Sequence, residues 1–536
     1  MQLSFQDQLQ ELLHCDLKET FPTARAMKRK LYFYVGPTNS GKTYTAMQEL
    51  MKSDCGIYLA PLRLLALENY ETLKEQNIAS ALITGEEEIF HEDSTHICST
   101  IEMLNFELQT DVCVIDEIQM VEDQDRGWAW VNAIIGAPAS KVIMTGSVNA
   151  LDAVKKIATY LGEELEIVKF QRKTPLDFTP EAIAYRDITP GTALIAFSRK
   201  EVLKIKSKLS KFFKVSVLYG NLSPEVRRDE AQRFRDGETQ ILVATDAIAM
   251  GLNLPIKTLL FTTDNKFDGI GQRTLFPHEV IQIAGRAGRY GHFEAGHIGG
   301  IKPSVHNSIK EVFETPMHTI KPPFYVKATI EQIETFAAHL STKELTKILS
   351  FYSKNMRYSG PFKATNISNM IELSRIVDRQ KLSLEEKFIL AGAPMNTKSP
   401  LLKDAFFIYM KAIVKKEKCS FKLMTRLSKL ATTELELLRA EDEIKKISLY
   451  LWLSYKMPEI FFDTQKAYRL RTELNKYCEN SLKTNQISSS AIKKRRDSRN
   501  SPRRRNDKQN KDNRTNTNNK NANRRRKKKH TIKKED

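Results

Sequence analysis

The chain has 536 residues, 41% of them hydrophobic and 28% charged, with 84 Lys and Arg against 65 Asp and Glu. At about 150 residues per domain this length allows three to four domains, and no apolar run approaches the ~18–20 residues that span a bilayer, which argues against a membrane partner. The charge is concentrated: residues 484–536 hold 20 Lys and Arg against 5 Asp and Glu, so a nearly neutral folded body carries a basic tail suited to a polyanionic partner.

Phe5, Leu9, Leu12 and Leu13 recur at helical spacing, so residues 1–28 are expected to form an N-terminal amphipathic helix. Asp7, Glu11, Asp16 and Glu19 are out of keeping with a mitochondrial presequence, and no positive cluster precedes an apolar core. The six cysteines are scattered without a CxxC pair, which fits a reducing compartment. The expected setting is cytoplasmic.

Apolar runs at 31–35, 57–60, 81–83, 112–115 and 142–144 are then separated by helix-like stretches such as 43–52 and 62–74. The run 112–115 is apolar at every position, as a parallel strand covered on both faces would be. This alternation predicts an α/β domain over 29–168. After a break near 171–190 the texture returns at 193–197, 215–218, 241–244 and 258–261, with Ser223 and Pro224 as a helix start. A second α/β domain is expected over 169–326. Helical patterns at 330–340, 343–352 and 447–455 predict an all-α domain over 327–483. Residues 484–536 have almost no large apolar side chains and are expected to be disordered.

The strongest motif is Gly36, Pro37, Thr38, Asn39, Ser40, Gly41, Lys42 and Thr43, a GxxxxGK[ST] loop between an apolar strand and a helix. Its backbone N–H groups can converge on phosphate oxygens at the helix N-terminus. Lys42 would reach the β- and γ-phosphates of ATP, and the Thr43 hydroxyl would ligate Mg²⁺. At the end of the run 112–115 stand Asp116, Glu117, Ile118 and Gln119. An Asp there can hold Mg²⁺ and the adjacent Glu can orient and deprotonate a water. These two features suit a nucleotide kinase or a GTPase equally well. The stretch Gln282–Arg289 decides between them, because it places Arg286 and Arg289 three residues apart on what reads as a helix beginning near His278. Both arginines would share one face and could stabilise a γ-phosphate transition state when two domains close. Gly285 and Gly288 argue for close packing there, since each costs ~1 kcal/mol in an ordinary helix interior.

The series GPTNSGKT, DEIQ, MTGS (144–147), ATDAIAMGLNLP (244–255) and QIAGRAGR resembles the ordered motifs of superfamily-two helicases. With APLRLLALENY (60–70), YGNLSPEVRRDEAQRF (219–234), AGAPMN (391–396) and LYLWLSYK (449–456), it resembles more narrowly the mitochondrial-degradosome (Suv-three type) RNA helicases and their bacterial relatives. The resemblance implies two tandem RecA-like parallel-sheet domains, then the helical domain and the tail. It implies ATP-dependent 3′-to-5′ unwinding of RNA, RNA–DNA or DNA duplexes in RNA decay or processing. Lys42, Asp116 and Glu117 would act in catalysis, Gln119 and Gln282 would sense the γ-phosphate, and Arg286 and Arg289 would be fingers. Thr145 and Ser147 would couple hydrolysis to domain motion, and Arg63, Thr100 and Thr245 would face nucleic acid. The family often works with a 3′-to-5′ exoribonuclease. Its eukaryotic members carry a long N-terminal extension that this sequence does not show, which again points to a bacterial-like cytoplasmic enzyme. Rival expectations are an ATPase that remodels RNA–protein complexes without processive unwinding, or an RNA-binding scaffold.

The tail's clusters Lys493–Arg496, 503–505 and 524–529 alternate with Asn, Ser and Asp and lack aromatic residues, so backbone electrostatics rather than base stacking is the expected mode. Truncation after Leu482 should leave a folded protein that binds RNA more weakly at low salt. Loss of four phosphate contacts should flatten the slope of log affinity against log salt by roughly three units. Titrations of both proteins at several salt concentrations measure it, and equal slopes would remove the RNA-arm role.

Overall fold

Strands that are apolar on both faces need cover on both sides, and the runs of the first third of the chain meet that need by pairing in parallel between helices. The computed structural model describes residues 13–484 and Ile487, apart from 251–252, 270 and 396–398. Its first sheet has eight strands in the spatial order Glu88–Ile89, Ser80–Ile83, His96–Thr100, Gly56–Ala60, Thr110–Ile115, Ala139–Gly146, Lys30–Val35, Leu165–Lys169. All neighbours run parallel except the edge strand Glu88–Ile89. Val35 lies opposite Gly146, and Ile115 opposite Met144. The carboxyl ends of three adjacent strands therefore finish almost level, and that rim is where open α/β sheets bind ligands.

The second sheet has six strands, all parallel, in the order Leu176–Phe178, Gly296–Gly300, Thr258–Phe261, Thr192–Ile195, Ile241–Ala244, Val215–Leu218. Part of the expected break at 171–190 is thus an edge strand. Ser223 caps the helix Pro224–Arg235, its hydroxyl accepting from Val226 N, as its sequence position suggests.

Beyond the second sheet the chain is helical: Ile330–His339, Leu345–Asn355, Ser368–Val377, Leu384–Ala391, Pro400–Lys415, Glu434–Lys456 and Thr464–Lys483. Two short parallel ladders interrupt it. Phe324–Val326 pairs with Phe362–Ala364, and His14–Cys15 pairs with Arg357–Tyr358. The N-terminal segment is accordingly tied into the helical region. Leu13 sits in a turn, whereas Phe5, Leu9 and Leu12, on which the amphipathic helix was expected, lie outside the described residues, as does the basic tail save Thr484 and Ile487. Among the described residues no helix is long and apolar enough to cross a membrane.

The helical region is fastened to the second sheet's domain by a buried charge. Glu441, 1% exposed in its side chain, accepts from Arg199 Nε at 2.9 Å and from the Tyr219 hydroxyl at 2.7 Å. Burial raises the Glu441 pKa while the Arg199 charge opposes the rise. Removing one member of such a pair costs ~3–5 kcal/mol because the other stays buried and uncompensated. Glu441→Ala, which among the described hydrogen bonds leaves Arg199 that to the Glu434 carbonyl at 3.3 Å, should lower the first unfolding transition in a urea titration accordingly. An unchanged midpoint would show that this contact does not hold the region in place.

Candidate functional site

The level strand ends bring three loops together. The loop Gly36–Thr43 leaves the strand Lys30–Val35 and opens the helix Lys42–Met51, with Gly41 at φ +89° and Asn39 at φ +60°. Gly36 passes so close to Phe170 that a Cβ would lie 2.6 Å from its carbonyl oxygen. An anion fits this cradle: Ser40 is buried with no protein partner for its hydroxyl, and Lys42 Nζ donates only to Pro37 O, at 3.1 Å, among the described hydrogen bonds. Burial lowers the Lys42 pKa, and the charges of Glu117 and Asp116 oppose the shift.

Asp116 is buried behind this loop. It accepts from the Tyr58 hydroxyl at 2.8 Å, from Thr43 Oγ1 at 3.2 Å and from Thr145 Oγ1. Burial, reinforced by the neighbouring Glu117 charge, raises its pKa. The Thr43 hydroxyl and the Asp116 carboxylate thus stand together as the donor pair a magnesium ion takes beside a bound triphosphate. Trp130 Nε1 donates to Asp116 O at 2.9 Å and holds the turn from beneath. Glu117 follows at φ +54°, with Gln119 Nε2 donating to its carboxylate. Gln119 Oε1 in turn accepts from Ser147 N at 3.2 Å. Thr145 and Ser147 therefore touch Asp116 and Gln119, respectively.

The second sheet's domain closes the site from the other side, though not as the sequence suggested. The helix Pro277–Ala284 ends at Gly285, so Arg286 and Arg289 do not share a helical face. Gly285 meets the phosphate loop and Gly288 adopts φ +70° against Gly296, which is why the helix stops here. Close packing was rightly inferred from these glycines, but it serves a loop. Arg286 Nη2 reaches within 3.7 Å of Glu117 Oε1 while its guanidinium is held by Ala249 O. Burial lowers its pKa against the opposing pull of Glu117 and Asp116. Arg289 lies elsewhere, its charged neighbour being Arg235.

The residues expected to face nucleic acid are spread out. Thr245 lines a cleft of about 1100 Å³ between the two sheet domains, together with Gln119, Gln282 and Tyr219. Arg63 lines a separate cavity of about 280 Å³ with Arg471 and is ion-paired to Glu86 at 2.6 Å. Thr100 is buried at the end of its strand.

Family models match in the same order as these parts: the DEXQ-box helicase domain of Suv3 over residues 18–170, the helicase conserved C-terminal domain over 178–291, and the SUV3 C-terminal domain over 437–484. The ATP-dependent RNA helicase SUV3 of Candida albicans is 34% identical over 499 residues, 87% of this chain and 69% of its own length. The chain belongs to the Suv3 family of RNA helicases. The Danio rerio helicase SUPV3L1 is 33% identical over 85% of this chain, which spans 62% of that relative, and the Arabidopsis thaliana DExH16 helicase is 33% identical over 88% of this chain and 84% of its own length. All three relatives are named mitochondrial, which overturns the expected cytoplasmic setting. That expectation rested in part on acidic residues near the N-terminus, a matter of local composition. Among solved structures, Saccharomyces cerevisiae Dbp5 bound to RNA and ADP BeF3 aligns over 60% of the chain and 89% of its own, at 18% identity and a TM-score of 0.40; the family assignment rests on the relatives.

Three contributors to this Suv3-family site were not foreseen. Tyr58 and Trp130 look like core aromatics in sequence, and only their polar tips reveal the work they do on Asp116. Arg172 lies in the stretch that reads as a break, where no periodicity marks it. A Cβ on Gly285 would lie 2.7 Å from Thr38 Cβ, so Gly285→Ala should push the Arg286 segment off the phosphate loop. Misplacements of about 1 Å cost ~10²-fold, and steady-state ATPase assays should show such a fall in turnover; a wild-type rate would mean the two loops need not touch.

Proposed function

We propose that this Suv3-family chain is an ATP-driven motor that tracks along single-stranded RNA and separates RNA, RNA–DNA or DNA duplexes in the 3′-to-5′ direction. The setting proposed is RNA decay or processing in mitochondria, with a 3′-to-5′ exoribonuclease as partner. The observation that carries the reading is the approach of Arg286 to Glu117 at 3.7 Å, a guanidinium from one domain facing a carboxylate of the other across the phosphate loop.

The loop 36–43 and Lys42 hold the triphosphate, with Ser40 supplying a free hydroxyl. Thr43 and Asp116 would hold a magnesium ion, which would supply neutralising charge. Glu117 orients the attacking water and accepts its proton at the carboxylate, and Gln119, fixed between Glu117 and Ser147 N, senses the γ-phosphate. Arg286 faces the charge that develops on the γ-phosphoryl oxygens. Gln282 contacts the phosphate from the opposite wall, and Arg289 swings in as a second finger on full closure. When the phosphoryl group leaves, Arg286 loses its partner and the cleft relaxes, a change that Thr145 and Ser147 pass on through Asp116 and Gln119. Thr245, in the cleft, and Arg63 grip the strand through sugar and phosphate, whereas the buried Thr100 only supports that face from within, so binding is tolerant of sequence and sensitive to salt.

A strand-displacement assay with a 3′-overhang RNA duplex tests the proposal. ATP hydrolysis without displacement would make the protein a remodelling ATPase. Glu117→Gln keeps shape but removes the proton acceptor, so hydrolysis should fall ~10²–10⁴-fold while RNA and ATP affinities stay within a few fold. Arg286→Ala should cost ~10³–10⁵ in turnover. A wild-type rate in either variant would reassign that residue.

A further inference from the structure

Between the two sheets the chain carries one side chain that bonds to both loops of the nucleotide site. Arg172 lies after the strand Leu165–Lys169 and before Leu176–Phe178. Its guanidinium is spent on main-chain carbonyls. Nε donates to Thr174 O at 2.7 Å, and Nη1 donates to Thr38 O at 3.0 Å and to Gly285 O at 2.8 Å. Nη2 donates to Ala287 O and, at 3.4 Å, to Gly288 O. Thr38 belongs to the phosphate loop, Thr174 is two residues along the chain from Arg172, and Gly285, Ala287 and Gly288 flank Arg286. Asn39 Nδ2 adds a second bond from the phosphate loop to Gly285 O, at 3.0 Å.

This is an unusual use of a cation. Burial lowers its pKa. With all five N–H donors engaged, it has none left for a phosphate oxygen, so it acts on the chemistry through the loops it holds. The bonds to Thr38 O and Gly285 O share one nitrogen and so fix the spacing between the two loops. Arg286 follows Gly285 directly, which makes its distance from Glu117 depend on that spacing.

We propose that Arg172 is a positioning residue for ATP hydrolysis, holding the Arg286 segment in register with the phosphate loop so that the finger meets the γ-phosphate. The inference rests on the reading of the chain as an ATP-driven enzyme. Lysine cannot substitute, because a single ammonium lacks the planar fork that reaches both loops at once.

The test uses the full chain with saturating single-stranded RNA and compares wild type, Arg172→Ala, Arg172→Lys, Arg286→Ala and the double variant Arg172→Ala/Arg286→Ala. Arg172→Ala should lower kcat by roughly 10–100-fold, with affinity for a fluorescent ATP analogue within about threefold of wild type. Arg172→Lys should also be impaired. The double variant should be no slower than Arg286→Ala alone, because a residue that works through Arg286 then has nothing left to position. An unchanged kcat in Arg172→Ala would overturn the proposal, as would an equal further loss in the Arg286→Ala background, which is what a merely structural role produces. If the alanine variant fails to fold, Arg172→Lys decides: full wild-type kcat overturns the proposal and reduced kcat at unchanged nucleotide affinity supports it. A wild-type chain without RNA-stimulated ATPase would overturn the functional reading itself, whereas an active wild type with indifferent Arg172 variants overturns only this inference.

Discussion

A carboxylate kept in the interior has to be surrounded by donors, and Asp116 sets that requirement for the first sheet. Its donors come from separate places: Tyr58 on the strand Gly56–Ala60, Thr145 on Ala139–Gly146, and Thr43 beyond Lys30–Val35. A slip of one residue in either donor-bearing strand would send its hydroxyl to the opposite face of the sheet. It would then leave a buried acceptor short of a partner, at a cost of ~1–3 kcal/mol or more. The demand of one side chain therefore pins the register of the central strands and holds their carboxyl ends level.

The joints of the molecule are built from different materials. Across the nucleotide site the two sheet domains meet through main-chain carbonyls, Gly285 and the guanidinium groups of Arg172 and Arg286. Such polar contacts suit relative domain motion. The helical region instead holds the second domain through the buried Glu441. It also reaches across, because Arg471 contacts Glu86 and Glu87 of the first domain and Glu225 of the second, at 3.3–3.8 Å. One joint can open while the brace around it persists.

Much of this was legible in the sequence. The apolar runs at 57–60, 112–115 and 215–218 are strands because nothing but a covered parallel sheet accommodates them, and the phosphate loop announces itself by its glycines. Among the strands that escaped notice, His96–Thr100 and Gly296–Gly300 are ones whose burial is polar or bare. His96 bonds to Leu50 O from the interior, and the glycines of the latter strand serve close backbone approach. The helical phase assigned to Arg286 and Arg289 failed because local spacing cannot reveal that a loop from another domain ends the helix at Gly285. Arg172 was unreadable for a related reason, since its importance lies in five carbonyls that no pattern of side chains encodes.

The pairing of His14–Cys15 with Arg357–Tyr358 bears on how the molecule is made. Leu17 and Phe21 belong to the buried core around the first sheet, yet the ladder that anchors the residues just before them needs a strand about 340 positions later. At ribosomal rates of ~5–20 residues per second, that partner emerges roughly 20 seconds to a minute after the first strand leaves the tunnel. During this interval the leading segment is an apolar flap on a nearly complete domain, and its final closure is a late, long-range event. Nascent chains of this protein should therefore carry a chaperone-dependent stretch around residues 14–21.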